Sequence, residues 1–331
     1  MTDRPVRVAL NGFGRIGRTL LRILLRDAPD MELVLINEIE PLPTCAYLFQ
    51  YDSVFGPWPG EVTAEEGALR VDGRRIPFHA APDLSTLDLH GVDLVLECTG
   101  MGGKRAVAER GLDAGARAVL VSGPSAEADV TLVLGANEGD LADQRIISNA
   151  SCTTNALAPL ARLLDGAVGI ESGQMTTVHC YTGSQPTVDK PRDAPERSRA
   201  AALSMVPTTT SAQHQTGLVL PQLSGRIEAR AIRVPTASVS CIDLTVQTRE
   251  PVTEAAVNAV LKSAAERSPV FGWTEQPLVS SDLRGRSESI ILCGPETSVS
   301  NGGLLRVFGW YDNEWGFSCR MVDMARRIAG R

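Results

Sequence analysis

The sequence predicts an α/β protein in two parts: a doubly wound parallel sheet in the N-terminal half, then an α+β half built on a mixed or antiparallel sheet. Three observations carry this. Short apolar runs alternate with helical segments up to residue 151, the pattern of a parallel sheet covered by helices. After Cys152 the runs lengthen, gain β-branched residues and follow one another directly, as strands of a mixed or antiparallel sheet do. The chain has 331 residues, about twice an ordinary domain of roughly 150.

Taken in order, residues 6–12 read as a strand, 15–27 as a helix and 32–37 as a second strand. Strands are expected again at 93–99, 118–122, 132–135 and 146–148, with a helix over 104–114. In the second half, 174–181, 226–234 and 239–248 read as long strands. The polar stretch 182–206 has Pro and Arg but no usable periodicity. It is longer than loops inside compact domains usually are, and such loops are commonly functional. Residues 314–329 place Phe317, Met321, Met324, Ala325 and Ile328 on one helical face, which needs a surface to dock on. Arg326, Arg327 and Arg331 suit the C-terminal end of that helix's dipole without further partners. The expected domains are 1–151, completed by the C-terminal helix 314–331, and 152–313.

Composition narrows the function classes. With 43% hydrophobic and 21% charged residues the chain has ordinary globular proportions. Thirty-two Lys and Arg against 39 Asp and Glu give a net charge of −7, which supplies no positive field for nucleic acid or an anionic membrane. Any phosphate must then be held by local arginines and backbone amides. No apolar run approaches the roughly 18 residues of a spanning helix, and a strand signal beginning at Val6 leaves no room for an export signal. A cytoplasmic protein is expected. The seven cysteines are scattered, without CxxC pairs or histidines at ligand spacing, so reduced thiols and no metal site are expected.

Residues 11–18 read NGFGRIGR. Gly12, Gly14 and Gly17 have G-x-G-x-x-G spacing directly after a strand and at the opening of a helix, the Rossmann-type context for a dinucleotide. Gly12 permits the tight turn, Gly14 lets backbone approach a pyrophosphate, and Gly17 lets helix and strand pack closely. The helix start offers free N–H groups to the anion. Glu38 follows at the end of the second strand, where a carboxylate accepts from ribose hydroxyls and repels a 2′-phosphate. Its neighbours Ile39 and Glu40 offer no cation, so NAD is favoured over NADP.

Residues 148–155 read SNASCTTN, and 156–164 are helical in character. Cys152 therefore lies at or just before a helix start, flanked by the hydroxyls of Ser151 and Thr153. Such a position can lower a thiol pKa from about 8.5 to roughly 3.5–7.5 when a cation or histidine is near. By itself the segment fits a capping or buried cysteine as well as a nucleophile.

Five segments taken together decide between those readings: NGFGRIGR, SNASCTTN, VHCYT at 178–182, RVPT at 233–236 and WYDNEWGF at 310–317. Their content and order resemble the glyceraldehyde-3-phosphate dehydrogenase family, which also includes erythrose-4-phosphate dehydrogenase, over essentially the whole chain. The resemblance implies an NAD-binding domain, a catalytic domain, a C-terminal helix returning to the first, and a homotetramer. It implies Cys152 as the nucleophile that attacks the aldehyde and His179 as the general base. Thr182 and Arg233 match the site for the substrate's phosphate; Ser151, Thr153, Arg197 and Thr210 match the site for the attacking inorganic phosphate. Asn313 matches the residue that orients the nicotinamide carboxamide, Thr99 and Ser122 match cofactor-lining positions, and Arg15 with Ile16 matches the pyrophosphate loop.

The chain departs from the family pattern at Ser184, where Asp is common, at Ser211 after Thr210, where Gly is usual, at His214, where Lys is frequent, and at Phe317, where Tyr is common. None of these touches the Cys152 and His179 pair, so they bear on specificity. Thr182 and the segment TVDKP at 187–191 resemble the triose enzyme more than the erythrose enzyme. A catalytically silent NAD-binding interaction protein is the alternative of another class, and intact Cys152, His179, Arg233 and Asn313 speak against it.

Overall fold

A computed structural model describes residues 4–330; Arg331, expected at the helix end, lies outside the described residues. The chain divides into two compact units. The first comprises the described residues up to Leu132, Glu138–Ala150 and the stretch from Ser318 onward; the second comprises Val133–Asn137 and Ser151–Phe317.

The first unit runs β1 (Val6–Asn11), α1 (Arg15–Asp27), β2 (Met31–Asn37), α2 (Leu42–Gln50), β3 (Tyr51–Asp52), β4 (Gly56–Pro57), β5 (Val62–Glu65), β6 (Ala68–Val71), β7 (Arg74–His79), β8 (Leu94–Glu97), α3 (Arg105–Asp113), β9 (Ala118–Val121), β10 (Val130–Thr131) and β11 (Ile146–Ser148). Its main sheet has the order β10-β11-β9-β8-β1-β2-β7-β6-β5, parallel from β10 through β7 and antiparallel at the β7, β6, β5 edge. The order reverses between β1 and β8, so their carboxyl ends open the crevice where doubly wound sheets bind ligands. Helix α1 buries Leu20, Leu21, Ile23 and Leu24, an apolar stripe that anchors the start of the helix beside that crevice.

The second unit runs α4 (Cys152–Val168), β12 (Ile170–Cys180), β13 (Val206–Thr208), α5 (Ala212–Val219), β14 (Ile227–Val234), β15 (Ser240–Thr248), α6 (Glu254–Arg267), β16 (Phe271–Thr274), β17 (Ile290–Cys293), β18 (Ser298–Val299) and β19 (Leu304–Tyr311), and the chain ends in α7 (Trp315–Ala329). The sheet order is β13-β14-β12-β15-β19-β17-β16, with β18 on β19. It is mixed: β12 runs parallel to β14 and antiparallel to β15. Along β12, Met175, Thr177 and His179 are buried while Thr176 and Val178 are half-buried, so the strand's alternation sends His179 to the packed face.

Three expectations are corrected. Residues 132–135 are not a strand: pairing ends at Thr131, and Ala136 and Asn137 donate back to the Val133 carbonyl while Gly135 takes φ 85°. Leu132 and Val133 are apolar because they are buried, in a turn. Residues 62–79 form two hairpins absent from the sequence reading. The turn of the second hairpin is Asp72-Gly73, both at positive φ between paired Val71 and Arg74, the primed turn that Asp-Gly favours. Arg326 has a partner, bonding Asp30 through two nitrogens at 2.7 and 2.8 Å. It is Arg117 that donates to the last carbonyls of α7, those of Ile328 and Ala329.

Candidate functional site

In the first unit the Gly-rich turn leaves the end of β1 and enters α1 at Gly14. Gly12 sits at φ 93°, and a Cβ there would lie 2.6 Å from the backbone of Cys98 and Thr99; no L side chain fits. Around Gly14 an added Cβ meets nothing within 4 Å, and no side chain caps α1. The first N–H groups of the helix therefore face an open cradle. Glu38 accepts from the Phe13 N–H at 2.7 Å and the Glu40 N–H at 3.1 Å, which fixes its carboxylate against the turn. These features fit a dinucleotide.

Other expected cofactor residues are tied into the protein. Arg15 pairs with Asp52 and lies over the Phe55 ring. Ile16 is half-buried. The Thr99 hydroxyl bonds Glu97, and the Ser122 hydroxyl bonds the Cys98 thiol. The sequence reading missed Glu97. This buried carboxylate accepts from Asn11 Nδ2 and from the Thr99 backbone, and Asn37 in turn donates to Asn11 Oδ1 at 2.8 Å. A polar chain thus joins the ends of β8, β1 and β2 beneath the turn.

In the second unit Cys152 is the first residue of α4, and Ser151 is the N-cap, its hydroxyl accepting from the Thr154 N–H at 3.1 Å. Cys152 Sγ lies 3.5 Å from His179 Nε2. His179 and Arg233 are partners in the register of β12 and β14, and Arg233 Nη1 lies 2.7 Å from His179 Nδ1. Behind the pair, the buried Tyr311 phenol bonds Thr153 Oγ1 at 2.9 Å and Thr177 Oγ1 at 2.8 Å, and its ring stands edge-on to His179. Gln215 Oε1 accepts from the Ser151 N–H at 3.1 Å and the Thr154 hydroxyl at 2.9 Å. Val239, β-branched yet at φ 66°, delivers Ser240, whose hydroxyl donates to Asn313 Oδ1 at 3.2 Å. Asn313 is thereby oriented through its carbonyl oxygen. Tyr311, Gln215 and Ser240 were not singled out in the sequence, and only Tyr311 sits in one of its motifs.

The expectation of a depressed Cys152 thiol is corrected. Burial pushes it up, against the pull of the Arg233 charge and of donors at the start of α4. Burial and Arg233 together hold His179 down at about 3.

Arg197 and Arg233 share a cavity of about 410 Å³ with Ser184, Arg192, Asp193 and Thr208. Arg197 donates to the hydroxyls of Thr208 and Thr209 at 2.7 and 2.9 Å. Thr182 Oγ1 and Ser184 Oγ are 2.9 Å apart. Thr210 lines a separate cavity of about 430 Å³ with His214 and Arg230. Its hydroxyl accepts from the Ala212 N–H, and Ser211 contacts Gln215. Among the described residues no group of three His, Cys, Asp or Glu is placed to hold a metal ion, and no helix is long and apolar enough to cross a membrane.

Residues 6–105 match the profile of the glyceraldehyde 3-phosphate dehydrogenase NAD binding domain, and residues 151–313 match that of its C-terminal domain. Glyceraldehyde-3-phosphate dehydrogenase of Xanthobacter flavus is 46% identical over 326 residues, 97% of each chain. Glyceraldehyde-3-phosphate dehydrogenase 1 of Bacillus subtilis is 44% identical over 330 residues, and the Pseudomonas aeruginosa protein of the same family name 46% over 329, each covering 98% of both chains. The chain belongs to the glyceraldehyde-3-phosphate dehydrogenase family.

Proposed function

We propose that this NAD-dependent oxidoreductase converts glyceraldehyde 3-phosphate and inorganic phosphate to 1,3-bisphosphoglycerate, with Cys152 as nucleophile and His179 as base. The observation that carries the reading is Cys152 on the first turn of α4, 3.5 Å from a histidine and close to Arg233, which lines a cavity with Arg197. His179 takes the thiol proton, the sulfur adds to the aldehyde carbon, and the imidazolium returns that proton to the developing oxyanion to give a thiohemiacetal. The same imidazole then draws the proton from the new hydroxyl. NAD, when bound, supplies the hydride acceptor. Cys152 is left holding the acyl group as a thioester, and phosphate attack at that carbon releases the acyl phosphate and restores the thiolate. Arg233, with Thr182 nearby, suits the substrate's phosphate, and Arg197 the attacking one, because guanidinium forks match tetrahedral oxyanions. The Asn313 amide suits a carboxamide. Assembly as a homotetramer belongs to the same reading and is supported by the resemblance.

Formation of NADH tests it. Glyceraldehyde 3-phosphate with phosphate is expected to give a kcat/KM about tenfold or more above that of erythrose 4-phosphate, as differential contacts to one extra hydroxymethylene allow. Equal values would remove the triose assignment. Glu38 sets a second expectation. Its fixed carboxylate would meet a 2′-phosphate, and like charges in contact cost several kcal/mol, so NAD should exceed NADP in kcat/KM by about two decades or more. Comparable values would show that Glu38 does not face the ribose.

A further inference from the structure

Cys180 ends β12 one residue after His179, and its carbonyl, its N–H and its thiol all reach residues of the site. The carbonyl oxygen lies 2.7 Å from His179 Nδ1 and 3.1 Å from Arg233 Nη1. The N–H donates to Ser240 Oγ at 3.1 Å, and the thiol donates to Asn313 Oδ1 at 3.2 Å. Ser240 Oγ donates to the same Asn313 oxygen. Cys180, Ser240 and Asn313 are all buried.

An amide side chain has an oxygen that only accepts and a nitrogen that only donates, so its neighbours decide which way it faces. At Asn313 two donors converge on Oδ1. Ser240 takes the Cys180 N–H on its oxygen, which leaves its own hydrogen for Asn313. A thiol is a weak donor, but burial pushes that of Cys180 up to about 12, so its hydrogen stays in place at neutral pH. Asn313 Nδ2 makes no hydrogen bond among the described residues, and it is the end left for a ligand.

We propose that Cys180 is a positioning residue for the cofactor: its thiol directly, and its N–H through Ser240, hold the Asn313 amide with Nδ2 presented to the carbonyl oxygen of the nicotinamide carboxamide. This rests on the reading of Asn313 as the partner of that carboxamide. Turned over, the Asn313 amide would meet the carboxamide through its NH2 instead. The two orientations therefore read different halves of one group. Because the Cys180 carbonyl also stands against His179, one rigid strand end places both the histidine and the amide.

A cofactor whose carboxamide oxygen is replaced by sulfur separates the two orientations, since a thiocarbonyl is the weaker acceptor and the NH2 is unchanged. Calorimetric titration of the full-length protein gives Kd for NAD and for its thionicotinamide analogue without turnover. The native protein is expected to prefer NAD by about tenfold, the scale of one hydrogen bond. Cys180→Ala is expected to lower that preference to about two- to threefold, and Cys180→Ser, which keeps a donor, to restore it. Loss of packing alone would weaken both cofactors together and leave the ratio unchanged. Should Cys180→Ala not fold, Ser240→Ala removes the other donor and is expected to lower the ratio in the same way. Equal affinity of the native protein for both cofactors overturns the proposal, as does a native ratio in the folded variant. Asn313→Ala tells the two readings apart. A native ratio there removes the reading of Asn313 itself, whereas a ratio lost there and kept in Cys180→Ala removes only the part assigned to Cys180.

Discussion

Replacing Cys152 with serine is expected to lower NADH formation by about three decades or more, the scale on which enzymes lose turnover when a nucleophile working with its base is removed. A hydroxyl at that position has the same N-terminal donors and the same histidine, but not the nucleophilicity of sulfur. NAD affinity should be largely retained, because the substitution leaves the Gly-rich turn, Glu38 and Asn313 in place. The native protein offers a parallel measurement. Burial pushes the thiols of Cys45 and Cys241 up to about 11 and that of Cys180 up to about 12, and the Cys98 thiol rises as well. Cys152 is raised too, but it is half-buried, and the Arg233 charge and the helix-start N–H groups pull it back. Since thiolate fraction and access set alkylation rates, one equivalent of iodoacetamide should label Cys152 first and abolish turnover in proportion. Full activity after complete labelling of Cys152 would end its assignment as nucleophile.

That contrast between Cys152 and the other thiols shows where sequence reading stops. Local patterns were legible because their causes are local. NGFGRIGR marks a strand end, a turn and a helix, and α1 forms over Arg15–Asp27 as its periodicity predicts. SNASCTTN marks an N-cap and a helix start, and Ser151 caps α4. The strand expected at 132–135 failed because apolar residues report burial, which a turn provides as well as a strand does. The hairpins at 62–79 carried a legible sign, Asp72-Gly73, in a stretch whose alternation is weak. The thiol's state was not readable at all. It depends on Arg233, placed beside His179 by strand pairing across 54 residues, and on burial by the rest of the unit. Tyr311 joins Thr153 and Thr177 over separations of 158 and 134 residues, which no window of sequence contains.

The phosphate step separates two arginines that line one cavity. If Arg197 holds the attacking phosphate, its work begins only after the thioester exists, so it should govern acyl release and leave the earlier steps alone. In rapid mixing without phosphate, a burst of NADH equal to the active-site concentration is expected, then slow turnover as water attacks the thioester. Phosphate should raise the steady rate. Arg197→Ala should blunt that rise and spare the burst. Charge-assisted hydrogen bonds of a guanidinium are worth about 1.5–3 kcal/mol, or about one to two decades in rate. The Thr208 and Thr209 hydroxyls that Arg197 now contacts remain in the variant, on an exposed surface where water can pair them, so the fold should be unaffected. Arg233→Ala should act earlier, lowering the burst rate itself, because that side chain touches both the histidine and the cavity. A steady rate indifferent to phosphate would mark a hydrolysing enzyme and remove the attacking-phosphate site from Arg197. A burst lost in Arg197→Ala and kept in Arg233→Ala would exchange their roles.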